Sequence, residues 1–367
     1  MKIIYIANAS HIGGGNKSLL TMAQKFQEVY TVHVVVPGRG EFCNLLNKAK
    51  ISYSTLNINF RKTSILSFIN TFLNLLKLVR TFSPDIIHVN DLFCYRAPGF
   101  IAKFLNIPII CHMRFSVEPR SVRYFLKARP SFIIFNSLYL KNLFLKNNHE
   151  FSKINNEVVY NFFDPNEFFA PDIRTQIRQK WGLENYYLVA IIGNFYPVKG
   201  HDIFLKAATK LKKYRTMKFL IVGKDLDPHK KNEKRIRRLI STLKLESNVF
   251  FLGFKKEIKE VLAGIDVLAV PSIYEPFGRV AVEGLLGALP VVASRTGGLV
   301  EIVKDAPCAF LFSNKNSSEL ASKIYNIYSF RREYPIIENR NYAIKKFGQD
   351  NNFEKLKNIY NSLTANR

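Results

Sequence analysis

Short runs of uninterrupted apolar residues recur along the chain, separated by longer stretches whose apolar positions fall three and four apart. Ile3–Ala7, Thr31–Val36, Ile86–Val89, Ile107–Cys111 and Phe132–Phe135 form one series, and Tyr187–Ile192, Lys218–Val222, Val249–Leu252, Val267–Val270 and Pro290–Ala293 form a second. Runs of this kind leave no face for water and predict strands buried on both sides, as in a parallel sheet. The stretches between them are long enough to be crossover helices. In Ser64–Phe82, the residues Ser67, Asn70, Thr71, Asn74 and Lys77 make a polar stripe among Leu, Ile and Phe, which predicts a helix packed on a sheet.

The two series meet at Tyr160-Asn161-Phe162-Phe163-Asp164-Pro165. The expected organisation is an N-terminal domain over residues 1–165 and a C-terminal domain over 166–344. A helix-like tail, Asn352–Leu363 within residues 345–367, is free to cross back onto the first domain. A chain of 367 residues exceeds one ordinary hydrophobic core and suits two α/β domains, each Rossmann-like and doubly wound.

Composition narrows the partners. Hydrophobic residues make up 47% and charged residues 22%, which excludes a disordered chain. The formal net charge is +26, with Lys and Arg in excess on both sides of residue 165, so the expected partners are anionic. No nucleic-acid-binding module is recognisable, so nucleic acid is not among them. Cys43, Cys94, Cys111 and Cys308 are scattered without a CxxC, which predicts reduced thiols and no zinc site. No apolar stretch reaches the ~18 residues of a membrane span, and Met1–Ile6 runs straight into a strand without a signal-like leader. These features predict a cytoplasmic protein.

The strongest chemical signal follows Val267–Val270. Pro271-Ser-Ile-Tyr-Glu275-Pro-Phe277-Gly278-Arg279-Val-Ala-Val-Glu283 reads as strand end, loop and helix start. A helix N-terminus offers unpaired N–H groups and partial positive charge to a phosphate. Gly278 permits close backbone approach. Glu283, in the second turn, can accept from ribose hydroxyls, and Glu275 can accept from sugar hydroxyls; the competing role for a carboxylate here is a helix cap. Lys199, in Gly193-Asn194-Phe-Tyr-Pro-Val-Lys199-Gly200, is a candidate phosphate ligand or else a solvated lysine. His11-Ile-Gly13-Gly14-Gly15-Asn-Lys-Ser18, after the first strand, is a candidate anion cradle or a plain turn. His112 and Arg114 are placed beyond a strand C-terminus, where ligands bind in open α/β sheets, although a core histidine also fits His112. His88, Asn90 and Asp91 stand in a similar position. Arg114, Arg120, Arg123, Lys127 and Arg129 are interleaved with apolar residues and suit an anionic membrane surface or a solvated helix face. Asp225-Leu-Asp227 is the single Asp-x-Asp and reads as a turn, while His229–Arg238 reads as an exposed charged face.

Glu275, Phe277, Gly278 and Glu283, continued by Gly287-Ala-Leu-Pro290 and Gly297-Gly298-Leu-Val-Glu301, resemble the retaining glycosyltransferase family 4 and its Glu-x7-Glu motif. The resemblance implies the GT-B fold, two Rossmann-like domains facing a central cleft. It implies a nucleotide-sugar donor, a glycan or lipid-linked acceptor, transfer with retention, and a role in cell-surface polysaccharide synthesis. It requires no cofactor and no metal. By resemblance Glu283 binds the ribose and Glu275 the transferred sugar. Phe277 and Gly278 bind the donor sugar and phosphates, Gly13 and Gly14 close over the donor, and His112 reaches its sugar. Lys199 matches the lysine that neutralises the pyrophosphate, but Asn194 stands where many members carry Arg; Arg279 is the candidate replacement cation. The acceptor or membrane side is assigned to Arg114, Arg120 and Arg123, at the inner face of the membrane. Rival readings are a nucleotide-sugar epimerase of the same fold and a non-catalytic nucleotide-sugar-binding subunit.

Overall fold

The computed structural model describes residues 1–56, 65–330 and 334–365, and for 65–68 the backbone alone. The chain divides into two compact units, Met1–Phe163 with Phe347–Arg367, and Asp164–Lys346.

The first unit alternates strand and helix: β1 Lys2–Ile6, α1 Gly14–Gln27, β2 Thr31–Val36, α2 Glu41–Lys48, β3 Ser52–Thr55, α3 Ile65–Phe82, β4 Ile86–Val89, α4 Arg96–Leu105, β5 Ile109–Met113, α5 Pro119–Phe125, β6 Phe132–Phe135, α6 Leu138–Asn147 and β7 Asn156–Val158. The seven strands lie in the order β3-β2-β1-β4-β5-β6-β7 and every pair is parallel. Successive residues of a strand face opposite sides. In β1, Ile4 and Ile6 join an apolar cluster with Ile87 and Val89, while Ile3 and Tyr5 join another with Phe26 and Val34. That two-sided burial is why the strand shows no polar alternation.

The second unit continues with α7 Arg174–Trp181, β8 Tyr187–Ile192, α8 His201–Leu211, β9 Met217–Val222, α9 Lys231–Thr242, β10 Val249–Gly253, α10 Ile258–Gly264, β11 Val267–Val270, α11 Arg279–Leu286, β12 Val291–Ser294, α12 Leu299–Val303, β13 Ala309–Phe312, α13 Ser317–Ser329 and α14 Ile336–Phe347. Its six strands run β10-β9-β8-β11-β12-β13, again all parallel. Local chemistry sets several ends. The Asn316 side chain accepts from Ser318 and Glu319 N–H, both at 3.1 Å, and starts α13. Asn106 and Gly182, both left-handed, end α4 and α7.

The last helix, α15 Gln349–Thr364, belongs to the first unit, where Phe353, Leu356 and Tyr360 join the cluster around Phe26. Within α3, Leu75 and Val79 are buried; Ser64 and the Ser67 side chain, both assigned to that helix from sequence, lie outside the described residues.

The structure also corrects the sequence reading. It adds strands β3, β7 and β13, which the sequence reading did not assign. It moves β5 two residues onward from the expected Ile107–Cys111, because Pro108 has no N–H for the ladder and Ile107 N–H instead returns to Ala102 O at 2.8 Å. His112 is therefore inside β5, not beyond it. The basic segment Arg114–Arg129 contains a helix of only seven residues, α5. Asp225 and Asp227 do form a turn: Asp225 Oδ1 accepts from Asp227 N–H at 3.0 Å, and Oδ2 accepts from Glu233 N–H at 2.9 Å in the first turn of α9.

Candidate active site

In the second unit the chain leaves β8 for β9 and β10 on one side, then returns to lay β11, β12 and β13 on the other. Strands β8 and β11 are thus neighbours whose connections depart in opposite directions, the place where open α/β sheets bind ligands. The loops beyond these strands carry Lys199 and Glu275.

Backbone contacts lock the loops together. Ile273 N–H donates to Val198 O at 2.8 Å. Gly200 has φ +76°, and a Cβ there would sit 1.9 Å from Pro271 O. On the other flank, Gly298 N–H donates to Glu275 O at 3.0 Å, Thr296 Oγ1 to Ile273 O at 3.2 Å, and Asn314 Nδ2 to the same oxygen at 2.8 Å. The hydroxyl of Ser294 donates to Ser272 O. Three neighbouring loops therefore fix the path of Ser272–Pro276.

On this scaffold Lys199 Nζ donates to Glu275 Oε2 at 2.7 Å, and Ser272 Oγ donates to the same oxygen at 3.3 Å. Gly278, at φ +110°, precedes α11 and provides no side-chain cap; Ala281 N–H turns back to Gly278 O at 3.0 Å. A Cβ on Gly278 would lie 2.5 Å from Leu299 Cδ2, and the φ of +110° strains any residue that carries one. Phe277 is buried. Glu283 sits one turn into α11, largely buried, with Oε1 3.4 Å from Arg279 Nε. Burial lowers the Arg279 pKa, opposed by the Glu283 and Glu167 carboxylates. Arg279 is therefore already committed to carboxylates, which weakens its case as the replacement cation. Asn194 is half-buried between Gly193 and Phe195, and its carbonyl accepts from Tyr196 N–H at 2.8 Å. Asp266, at the opposite end of β11, pairs with Arg178 at 2.6 Å and accepts from Leu188 N–H at 2.7 Å, which makes it a structural anchor.

The first unit repeats the pattern: β1 lies between β2 and β4, and the loops beyond β1 and β4 meet. Gly13 precedes α1 and Gly14 is exposed at its start. Asn90 Nδ2 donates to Gly15 O at 3.3 Å, and Asn8 Nδ2 to Asp91 Oδ2 at 2.8 Å. Arg114 is buried beneath this loop; a Cβ on Gly15 would lie 3.3 Å from its Cδ. Its guanidinium donates from Nε to Asn90 O at 2.9 Å and Asn90 Oδ1 at 3.0 Å, and from Nη1 to Asn161 Oδ1 at 2.6 Å. Arg114 is thus an internal strut and not part of a membrane-facing surface. Arg120, Arg123, Lys127 and Arg129 are exposed, and Arg123 pairs with Glu150 at 3.3 Å. Behind Arg114, His112 and His88 are buried and contact each other at 3.2 Å, Nδ1 to Nε2. Burial, helped by the Arg114 charge, pushes His88 down to about 3 and His112 well below its usual value. Thr296, Asn314, Asn161 and Tyr360 escaped the sequence reading, since each acts through partners distant in the chain, and Ser272, three residues from Glu275, was read only as part of the strand end.

Residues 12–167 match the family model described as Glycosyltransferase Family 4, and residues 173–346 match Glycosyl transferases group 1. An uncharacterized glycosyltransferase of Methanocaldococcus jannaschii is 28% identical over 214 residues, 56% of this chain and 53% of the relative. N-acetyl-alpha-D-glucosaminyl L-malate synthase of Bacillus anthracis is 30% identical over 166 residues, 44% of this chain and 42% of the relative. The match thus spans about half the length of these curated relatives. Among solved structures, Anabaena HepE in complex with UDP and glucose superposes with a TM-score of 0.88 at 24% identity, covering 99% of this chain and 100% of that one. The likeness shows the fold, that of the GT-B glycosyltransferases.

Proposed function

We infer that this chain, of the group 1 and family 4 glycosyltransferase type in its two halves, moves a sugar from a nucleotide-sugar donor to a hydroxyl acceptor with retention. The observation that carries the reading is the meeting of Lys199 and Glu275 at the switch point of the second sheet, beside the uncapped start of α11. In this mechanism the bond from the anomeric carbon to the diphosphate oxygen breaks and that oxygen gains negative charge. Lys199 and the first N–H groups of α11 stabilise it, so no metal ion is called on. The acceptor hydroxyl attacks from the same face, and its proton passes to the departing phosphate. Glu275 holds a hydroxyl of the transferred sugar, and Glu283, oriented by Arg279, holds the ribose. His112 hydrogen-bonds a substrate oxygen. The acceptor is a glycan or lipid-linked saccharide, as in cell-surface polysaccharide synthesis.

A thermal-shift screen across nucleoside diphosphates and nucleotide sugars tests donor binding, since a bound ligand raises the melting temperature. UDP is the first to try because HepE was solved with it. With the donor found, the reading expects transfer to a hydroxyl acceptor, insensitivity to EDTA and loss of most activity in Glu283→Ala. A donor that binds but is only epimerised, or never turned over, would sink it. The exposed Arg120, Arg123, Lys127 and Arg129 support contact with an anionic membrane. Reversing Arg120 and Lys127 to Glu should then reduce co-sedimentation with anionic vesicles, and unchanged sedimentation would remove this part.

A further inference from the structure

Four buried side chains of the first unit form one hydrogen-bonded row. The Tyr360 hydroxyl donates to Tyr5 Oη at 3.2 Å, Tyr360 Oη is 2.6 Å from His88 Nδ1, and His88 Nε2 is 3.2 Å from His112 Nδ1. None of the four exceeds 1% exposure. At the far end, His112 Nε2 is buried and has no hydrogen-bond partner among the described residues. Burial keeps both imidazoles neutral, so each carries one ring proton. The row can then be ordered in two directions. Either His112 Nδ1–H points toward His88 and Nε2 is a bare lone pair, or His88 donates to His112 Nδ1 and the proton of His112 sits on Nε2.

Arg114 decides between them. Its Nη2 lies 3.4 Å from His112 Nδ1, and a guanidinium only donates. An N–H on Nδ1 would set two donors against each other beside a fixed cation, whose Nη2 also donates to Asn90 Oδ1. The guanidinium cannot turn away, because Asn90 and Asn161 hold its other nitrogens. We propose that Arg114 is a positioning residue that sets the tautomer of His112, so that His112 presents Nε2–H as a donor to a substrate oxygen. The rest of the order then has His88 donating from Nε2 and the Tyr360 hydroxyl turning from Tyr5 Oη, to which it donates at 3.2 Å, to the nearer His88 Nδ1 at 2.6 Å. A consequence is that His112 stabilises charge and does not act as the base that deprotonates the acceptor. This proposal rests on the reading of His112 as a substrate-facing group.

The test is a long-range proton–nitrogen correlation spectrum of the full chain labelled with ¹⁵N-histidine, without substrate. His112→Gln and His88→Gln assign the two rings among the seven histidines. Expected in the native protein are a protonated Nε2 and a bare Nδ1 in both. In Arg114→Met both tautomers of His112 should populate and its two nitrogen shifts should converge; Arg114→Lys, which keeps a cation, should converge less. A native spectrum with the proton on Nδ1 overturns the proposal, whatever the variants do, and so does an Arg114→Met spectrum unchanged at His112. In transfer assays Arg114→Met and His112→Ala should each lose about 10²-fold, the scale of one transition-state donor. The double variant should be no worse than His112→Ala. Full transfer by His112→Ala alongside the expected native spectrum removes the substrate role of His112 and leaves the tautomer assignment standing.

Discussion

Lys199 Nζ lies 2.7 Å from Glu275 Oε2, and the two side chains arrive on loops from adjacent parallel strands, β8 and β11. The pair is partly shielded, with side-chain exposures of 30% and 14%. A pair with that much exposure contributes about 0–1 kcal/mol to folding. Under the proposed mechanism the same lysine counts for far more, because its charge would meet charge that appears only as the bond breaks.

Removing Lys199 should therefore separate stability from activity. Lys199→Ala is expected to shift the melting temperature by no more than a few degrees and to lower kcat by about 10²–10³-fold. Glu275→Gln keeps the hydrogen-bonding shape but removes the lysine's counter-charge. It should lose transfer while still binding the nucleoside diphosphate, because its partner is the sugar and not the phosphate. Calorimetry with the diphosphate alone checks this; loss of diphosphate binding in Glu275→Gln, or full transfer by Lys199→Ala, would contradict the assignment.

Gly200 is the hinge of the same arrangement. Its φ of +76° is unfavourable for any residue with a Cβ, by about 1–2 kcal/mol, and the added carbon would lie 1.9 Å from a backbone oxygen. Backbone in contact with backbone cannot yield as a flexible side chain does. Gly200→Ala is expected to lower the unfolding free energy by about 2 kcal/mol or more and to displace Lys199 from Glu275. Transfer should then fall at temperatures where the variant is still fully folded. Urea denaturation together with single-turnover transfer measures both; a variant as stable and as active as the native chain would show that the loop contact has no consequence.

Much of this framework could be read from the chain itself, and the failures have physical causes. Central strands such as β1, β8 and β11 are buried on both faces and announce themselves as apolar runs. The missed strands β3 and β7 lie at sheet edges, where Ser52-Tyr-Ser-Thr55 and Asn156-Glu-Val158 pair as well as Val or Ile, while β13 is a short apolar run, Ala309-Phe-Leu-Phe312, that was passed over. The Glu-x7-Glu spacing and Lys199 are local signals and were legible. Arg114 was not, because an arginine among basic neighbours reads as surface until Asn90 and Asn161, far away in the chain, close around its guanidinium. Asn339 was hidden in the same way. It bonds Leu289 O at 2.9 Å, Cys308 O at 2.8 Å and Cys308 N–H at 2.7 Å, joining a helix to the margins of two strands.

The buried histidines give the protein an acid limit that can be worked out in sign. Burial holds His88 at about 3 and His201 at about 4, and places His112 well below its usual value. In the unfolded chain each titrates near ~6.5. Below that pH the unfolded chain takes up protons that the folded chain refuses, so stability is fully present above ~6.5 and declines as pH falls toward the folded values. Each such group contributes a slope of up to about 1.4 kcal/mol per pH unit. Between about pH 6.5 and 5 most carboxylates remain ionised in both states, so the histidines dominate that window. His201 offers a clean control: neither ring nitrogen has a partner among the described residues, and the ring packs edge-on against Phe195 at 5.3 Å. An apolar residue satisfies such a site as well as an imidazole does, so His201→Leu should leave stability near pH 8 within about 1.5 kcal/mol of native. It should also flatten the decline between pH 6.5 and 5 by roughly one histidine's share. Urea unfolding across that range decides the matter, since equal slopes for the two proteins would mean that His201 is not held neutral by its burial.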